Sequence, residues 1–596
     1  MTMIPSISAL TGSAVASRTT DHVTVKVFIE GSDITSNPGG LMSLSVYKEF
    51  NKIPTARLLF EDDVSQNREF QKSNADLFVP GKQIDIQVGY DNEEESIFQG
   101  IIVRHSVKVL SGKPAHLEIE CKDPAVKTTL VRKSDYFYNS KDSDVIKQII
   151  RTHSGLRVGN VTDSPHTREE LVQYHCTDWD FMVMRADANG MCVSVSGGEV
   201  HVKKPEVAAA AKFAVHLGAA GSGIPLIEME ADIDARTHYP SVNAKAWDFS
   251  KQEVVEAVKQ GSAGGAAGGG LGGGLGGVAS AASSVASDIG DAIGAVTEEG
   301  DGRRQFPEAL FGQDPLLLYH GGDLESRELE AWAEAKMKRG DLSSVRGRVR
   351  ILGIEVAPGD TIALESIGDR FDGNHLVSGV MHQVYGGTWH TDIQFGLTDK
   401  FFSDNNDASA DAASGLLPGI SGLHIGIVSK LDGDTQAGHH RIQVRIPYLA
   451  GGSGTGSQSE GIWARLSTLY AGKDRGFVFR PEVGDEVVLG FVNNDPNQAV
   501  VMGSLHNNKS PAPIPATRDN HQKVFVAKEG MELIFDDQKK SITLKTKNGN
   551  ALVLSDQDKK ISINDENGNS IEMSSSGISI QSASKVTIKG TPINLN

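Results

Sequence analysis

Much that would point to a membrane, disulfide-bonded or metal-built protein is scarce in this sequence. Its 596 residues include three cysteines, Cys121, Cys176 and Cys192, too few and too scattered for a disulfide framework or a zinc cage. No segment approaches the ~18 uninterrupted apolar residues of a membrane-spanning helix. Aromatic residues make up only 6%, and acidic groups outnumber basic ones to a net charge of −18. That charge argues against nucleic acid or anionic lipid as the main partner. Neither an HExxH zinc signature nor a GxSxG nucleophile elbow is present. At the N-terminus, "MTMIPSISALTGSAVAS" has no Lys or Arg before Arg18, so 1–20 reads as a flexible arm and not as a signal peptide.

Glycine, by contrast, is plentiful at 65 residues, and apolar alternation at period two is widespread, so the fold class is mainly β. Strand patterns such as "HVTVKVFIEG" and "KQIDIQVGY" make 21–134 a first β-barrel-like unit. Residues 135–240 read as a small α/β insertion with return strands. It carries two short helices, around Val145–Ile150 and Trp179–Ala186, each stopped by a glycine. Residues 241–305 form a Gly/Ala-rich insertion, whose tract 261–277 cannot offset its own ordering entropy and is expected to be mobile. The stretch after it, "VASAASSVASDIGDAIGAV", could form a marginal helix. A second β-unit follows at 306–402 with a helix over 323–340, then a polar linker at 403–417. Five strand patterns within 418–510 have the size of an OB-type barrel.

From 521 to 596 the pattern changes to a repeat. Gly530, Gly549 and Gly568 are 19 apart, as are Leu533, Leu552 and Ile571, and Ile542, Ile561 and Ile580. Strands recur every nine or ten residues. Their apolar pairs are Leu533/Phe535, Ile542/Leu544, Leu552/Leu554, Ile561/Ile563, Ile571/Met573 and Ile578/Ile580, separated by polar turns. A ribbon with one narrow apolar stripe cannot bury that stripe alone and needs copies of itself.

Several constellations could suggest chemistry, and each has a plainer reading. "GGGLGG" at 268–273 meets GxGxxG only because the tract is nearly all glycine. His439-His440 lacks a third ligand at useful spacing. Asp178 and Asp180 flank Trp179 at helical spacing, which favours capping or solvation over acid/base work. Cys176 beside His175 reads as a buried or half-buried thiol. Phe477, Phe479 and Phe491 lie within the apolar pattern of the barrel, so packing is preferred to ligand stacking. No residue is assigned to catalysis, cofactor or metal.

Three stretches resemble the VgrG-type spike proteins of contractile injection systems, which are like myophage hub and spike fused in one chain. They are "QYHCTDWDFMVMRADANGM", "RPEVGDEVVLGFVNNDPNQAVVMGSLHN" and the terminal repeat. The resemblance implies a homotrimer of phage-hub-like barrels, an OB-fold neck and a triple-stranded β-helix needle, with the apolar pairs above as its core. It implies a non-enzymatic part that adapts a hexameric tube to a trimeric needle and punctures a membrane on sheath contraction. Implied partners are inner-tube and baseplate proteins at the hub, effector cargo, and a PAAR-type tip protein at Val586, Ile588, Thr591, Ile593, Leu595 and Asn596. Val586/Ile588 and Ile593/Leu595 are expected to be the last strands. With only 509–520 between barrel and needle, and the chain stopping at "TIKGTPINLN", neither an inserted muramidase nor a fused toxin is expected. A peptidoglycan-cleaving tail enzyme is the alternative. Synthesis in the bacterial cytoplasm and release in an extracellular phage-tail-like particle are favoured over a type VI secretion spike.

Overall fold

The computed structural model describes residues 22–35, 40–62, 70–111, 113–218, 223–248, 251–261, 314–322, 324–406, 408–435, 440–448 and 461–594. The Gly-rich tract beyond Gly261, the marginal helix after it, His439 and the N-terminal arm lie outside them. The chain divides into two compact units, up to Ala410 and from Asp411 onward.

In the first unit, period-two alternation puts Val46, Leu58, Ile86, Leu117 and Ile119 on the inner face of a barrel, essentially sealed from solvent. Its strands run Leu41–Glu49, Thr55–Asp62, Ala115–Lys122, Glu93–Lys108, Gln83–Tyr90 and Val23–Ile29, each hydrogen-bonded to the next. A second barrel closes on itself through Thr361–Glu365, Ala214–His216, Ile224–Ile233, Val345–Leu352, Thr388–Phe395 and Gly373–Tyr385. The two barrels are not separate bodies. Gly373–Tyr385 also pairs with Leu41–Glu49, in the register Val384 opposite Leu44, so thirteen strands form one continuous sheet.

Two smaller elements decorate the barrels. Helices Asp142–Thr152 and Asp178–Ala188 pack Ile146, Ile150, Met182 and Val183 against Val193 and Val200 of a three-stranded sheet. The ribbon Arg132–Lys141/Thr167–Thr177 completes this insertion. Elsewhere, Ser241–Asp248 pairs with Glu253–Gln260 on one side and Leu316–His320 on the other. Helix Ser326–Ser343 covers that sheet, with Leu329, Ala333 and Met337 against Val242, Ala244 and Ala257. Ser241–Asp248 and Glu253–Gln260 are thus strands although composition groups them with the mobile insertion. Small alanines fit beneath a helix, which a composition reading cannot distinguish from a flexible tract.

The second unit begins with a closed five-stranded barrel, in the order His424–Lys430, Arg441–Arg445, Ile462–Leu466, Ala499–Leu505 and Glu486–Phe491. Val428, Ile442, Val444, Val487, Leu489 and Val501 fill it. After it comes an antiparallel ladder of seven strands, Gln522–Val526, Glu532–Asp536, Ser541–Lys545, Ala551–Ser555, Lys560–Asn564, Ser570–Ser574 and Gly577–Gln581.

The chain after Gln581 departs from expectation. Val586, Ile588 and Ile593 lie in irregular backbone and are exposed, where two further strands were expected. Among the described residues no strand pairs with this stretch, and Pro592 cannot donate a hydrogen bond. Thr591 is exposed irregular chain too, while Leu595 and Asn596 lie outside the described residues.

Candidate assembly surface

The ladder is built by its turns. Gly530, Gly549 and Gly568 sit at φ +78°, +99° and +84°, where a side chain would be strained. In each turn the glycine N–H donates to the carbonyl three residues back, on Ala527, Thr546 and Asp565. These are three-residue hairpin loops that end in a left-handed residue, and they set the register of the flanking strands.

That register sorts the apolar residues into two columns on a single face. One column runs Leu533, Leu544, Leu552, Ile563, Ile571 and Ile580 across successive strands. The other runs Phe535, Ile542, Leu554, Ile561, Met573 and Ile578. The last hairpin has a shorter loop, so Ile580 stands beside Ile571 instead of continuing the line of Ile542 and Ile561. The displacement is an even number of residues, and the face is kept.

The opposite face begins with Val524 and Ile534 and continues through Thr543, Val553, Ser562 and Glu572, with ion pairs Lys545–Glu532 at 3.2 Å and Lys560–Glu572 at 3.4 Å. One face is therefore suited to water and the other is not. In the single chain Leu544 is 54% exposed, Ile563 46% and Ile578 70%. Removing a half-exposed Leu or Ile from water stabilises by on the order of 1 kcal/mol. A dozen such side chains in one stripe give a strong drive to self-association.

The places that suggested chemistry resolve into structure. Thr177 caps helix Asp178–Ala188 through its hydroxyl, which accepts from the Asp180 N–H at 3.1 Å. Asp178 is therefore neither cap nor solvated, a correction to the sequence reading. It is buried and accepts from Lys133 Nζ at 2.5 Å and Gln173 Nε2 at 2.9 Å, with His153 Nε2 at 2.7 Å. Burial pushes its carboxyl up, but the hydrogen bonds from Lys133, Gln173 and His153 outweigh this and hold it below the usual carboxylate range. Cys176 is buried at a bulge in its strand, and burial pushes its thiol up, away from nucleophilic character. His175 beside it points to solvent at φ +43°.

The sequence reading also misplaced two of the barrel's three aromatic residues, although Phe491 does pack against the core. Phe477 and Phe479 are not packed in its core. They are 48% and 59% exposed, because they follow the Arg475–Gly476 hairpin instead of continuing a barrel strand. Phe525 was missed altogether. It lies opposite Leu533 on the apolar face, and its distance of 19 residues from Leu544 is the signal that could have found it.

Comparison with known proteins covers both units. Residues 19–274 and 291–386 match the model of the Alg8 N-terminal domain. Residues 424–506 match the type VI secretion system/phage-baseplate injector OB domain, and 541–596 the phage baseplate V C-terminal trimerisation domain. The type VI secretion system spike protein VgrG1a of Pseudomonas aeruginosa is 24% identical over 208 residues, 33% of this chain and 32% of its own. The actin cross-linking toxin VgrG1 of Vibrio cholerae is 32% identical over 108 residues, 17% of this chain and 9% of its own. The matched stretches thus span no more than about a third of these relatives. Among solved structures, an Escherichia coli component of the type VI secretion system, described as similar to T4 bacteriophage tail proteins gp27 and gp5, aligns with 80% of this chain and 100% of its own. Identity there is 12% and the TM-score 0.36.

Proposed function

Because the chain belongs to the Alg8 N-terminal domain family, whose model matches more than half of it, and is a hub-spike protein of the VgrG type, we propose that it forms the trimeric central spike of a contractile injection particle. The observation that carries this reading is the one-faced ladder, an apolar stripe lying largely within the match to a trimerisation domain.

Three copies of the ladder close into a β-prism with the two columns inside and the Lys–Glu face outside. The interior is a continuous apolar stack, and every strand but the terminal ones is hydrogen-bonded on both edges, which makes the prism stiff. Seven strands at about 4.8 Å spacing give a shaft of roughly 30 Å. Two barrels per chain become six in a trimer, which suits an adaptor between a hexameric tube and a three-fold needle. Sheath contraction drives the needle through the target membrane. Tube and baseplate proteins meet the hub, and effector cargo rides with the spike. A small PAAR-type protein covers the exposed end around Val586, Ile588, Thr591 and Ile593, with Leu595 and Asn596 at the terminus. Extracellular release is the preferred setting.

Immunogold labelling of the chain on particles purified from culture supernatant tests the proposal. Label concentrated at one end of sheathed particles is expected. Particles that never carry label would contradict it.

A further inference from the structure

Beside the ladder, the OB barrel carries an exposed aromatic cluster that its own fold does not use. The barrel core is complete without it, with Val428, Ile442, Val487 and Val501 sealed inside. The cluster is held on the short hairpin formed by Ala471–Gly472 and Arg475–Gly476. The Phe477 N–H donates to the Tyr470 carbonyl at 2.9 Å, and the Thr468 hydroxyl donates to the Phe477 carbonyl at 2.9 Å. The Arg475 guanidinium lies 5.7 Å from the Tyr470 ring centre. Backbone and side chains thus fix a protruding apolar group, with Leu469 94% exposed at its edge.

The cluster is continuous with the stripe. Phe477 stacks on Phe479 with centroids 6.0 Å apart, and Phe479 meets Phe525 at 5.0 Å. Phe525 in turn stands opposite Leu533, the first member of a ladder column. The Lys528–Glu482 ion pair at 2.9 Å ties the same two regions together. The apolar surface therefore runs without a break from the last ladder strand to the hairpin of the barrel.

We infer that this cluster is a collar, an interchain contact in which Phe477 and Phe479 of each copy pack on the next copy of this chain at the base of the needle. The inference rests on the trimeric reading above. Its partner is a second copy because the surface continues the stripe that such copies bury. Large aromatic side chains beside a buried patch are the usual energetic anchors of interfaces. Exposed aromatics on an OB barrel near Lys473, Arg475 and Arg480 could also stack single-stranded nucleic acid. Glu482, Glu529 and Asp485 gather around Lys528 in the same region, however, and the whole chain is acidic, which disfavours a phosphate backbone.

The test uses the full chain, whose described cysteines are all buried. Single variants Phe479→Cys, Phe477→Cys, Ile561→Cys and Met502→Cys are treated with a short bis-maleimide and run on denaturing gels. All four positions are exposed in the single chain, so its fold is not at stake. Cross-linked dimers, the largest product that one reactive thiol per chain allows, are expected at the collar and ladder positions, at least about ten-fold above Met502→Cys, because neighbouring copies hold the thiols at high effective concentration. If Ile561→Cys cross-links while both collar positions match the control, the collar is wrong and the trimeric needle stands. Oligothymidine binding by wild type that Phe477→Ala/Phe479→Ala abolishes would then assign the cluster to nucleic acid. If Ile561→Cys also fails and the protein is monomeric, the reading beneath the collar falls, and the collar with it.

Discussion

At Asp178 a carboxylate that looked like a candidate acid or helix cap is a buried junction joining Lys133, His153 and Gln173 from separate elements. Its folded pKa is lowered, so its stabilisation is present above the unfolded value and is lost as pH falls through the folded one. Asp178→Asn should cost the first unit about 1–3 kcal/mol at neutral pH. The gap between variant and wild-type melting should close as pH drops below about 4. A gap that persists unchanged at acid pH would show that the charge is not what matters. Sequence could place Asp178 at a helix start, but not the three partners that the fold brings to it. Ile561 is the opposite case, because its place on the apolar face beside Leu554 and Met573 was legible from period and polarity alone. Ile561→Asp should put three carboxylates into one dry layer, each costing several kcal/mol on the order of a buried unpaired charge. On size-exclusion chromatography with light scattering the variant should lose the trimer while its barrels keep their circular dichroism; a retained trimer would mean that the column faces outward.

Among the elements, the ladder and the OB barrel were readable because both are local. Every ladder strand pairs with its neighbour in sequence, Gly530, Gly549 and Gly568 mark alternate reversals, and the barrel strands alternate clearly within one short stretch of chain. The sheet that joins the two hub barrels was not readable, since Val384 and Leu44 are far apart in the chain and nothing in either segment names the other. The strands at 241–260 were lost for a related reason, being alanine-rich and next to a glycine tract. Their register has a consequence for the insertion. Gln260 pairs beside Ser241, and Leu316 beside Val242, so the chain leaves and re-enters at the same end of Ser241–Asp248. The two points flank one strand and are about 10 Å apart. A linker of about eight Gly and Ser residues can therefore replace 262–313, because closure entropy changes little with loop length. Its melting midpoint should stay within about 2 °C of wild type in differential scanning calorimetry. A fall of more than about 5 °C would mean that the segment supports the fold.

For the molecule as a whole, the account depends on a contact that one chain cannot make. A seven-stranded sheet with polar pairs on one face and two columns of Leu, Ile, Met and Phe on the other is half of an interior. Its repeat betrayed the need for copies, whereas the collar at Phe477 and Phe479 stayed hidden because apolar residues in a barrel sequence look like core until their burial is known. Native mass spectrometry of the purified full-length chain tests the central claim most directly. The account predicts a single species of three 63.6 kDa chains that persists on dilution; a stable monomer under the same conditions would contradict it.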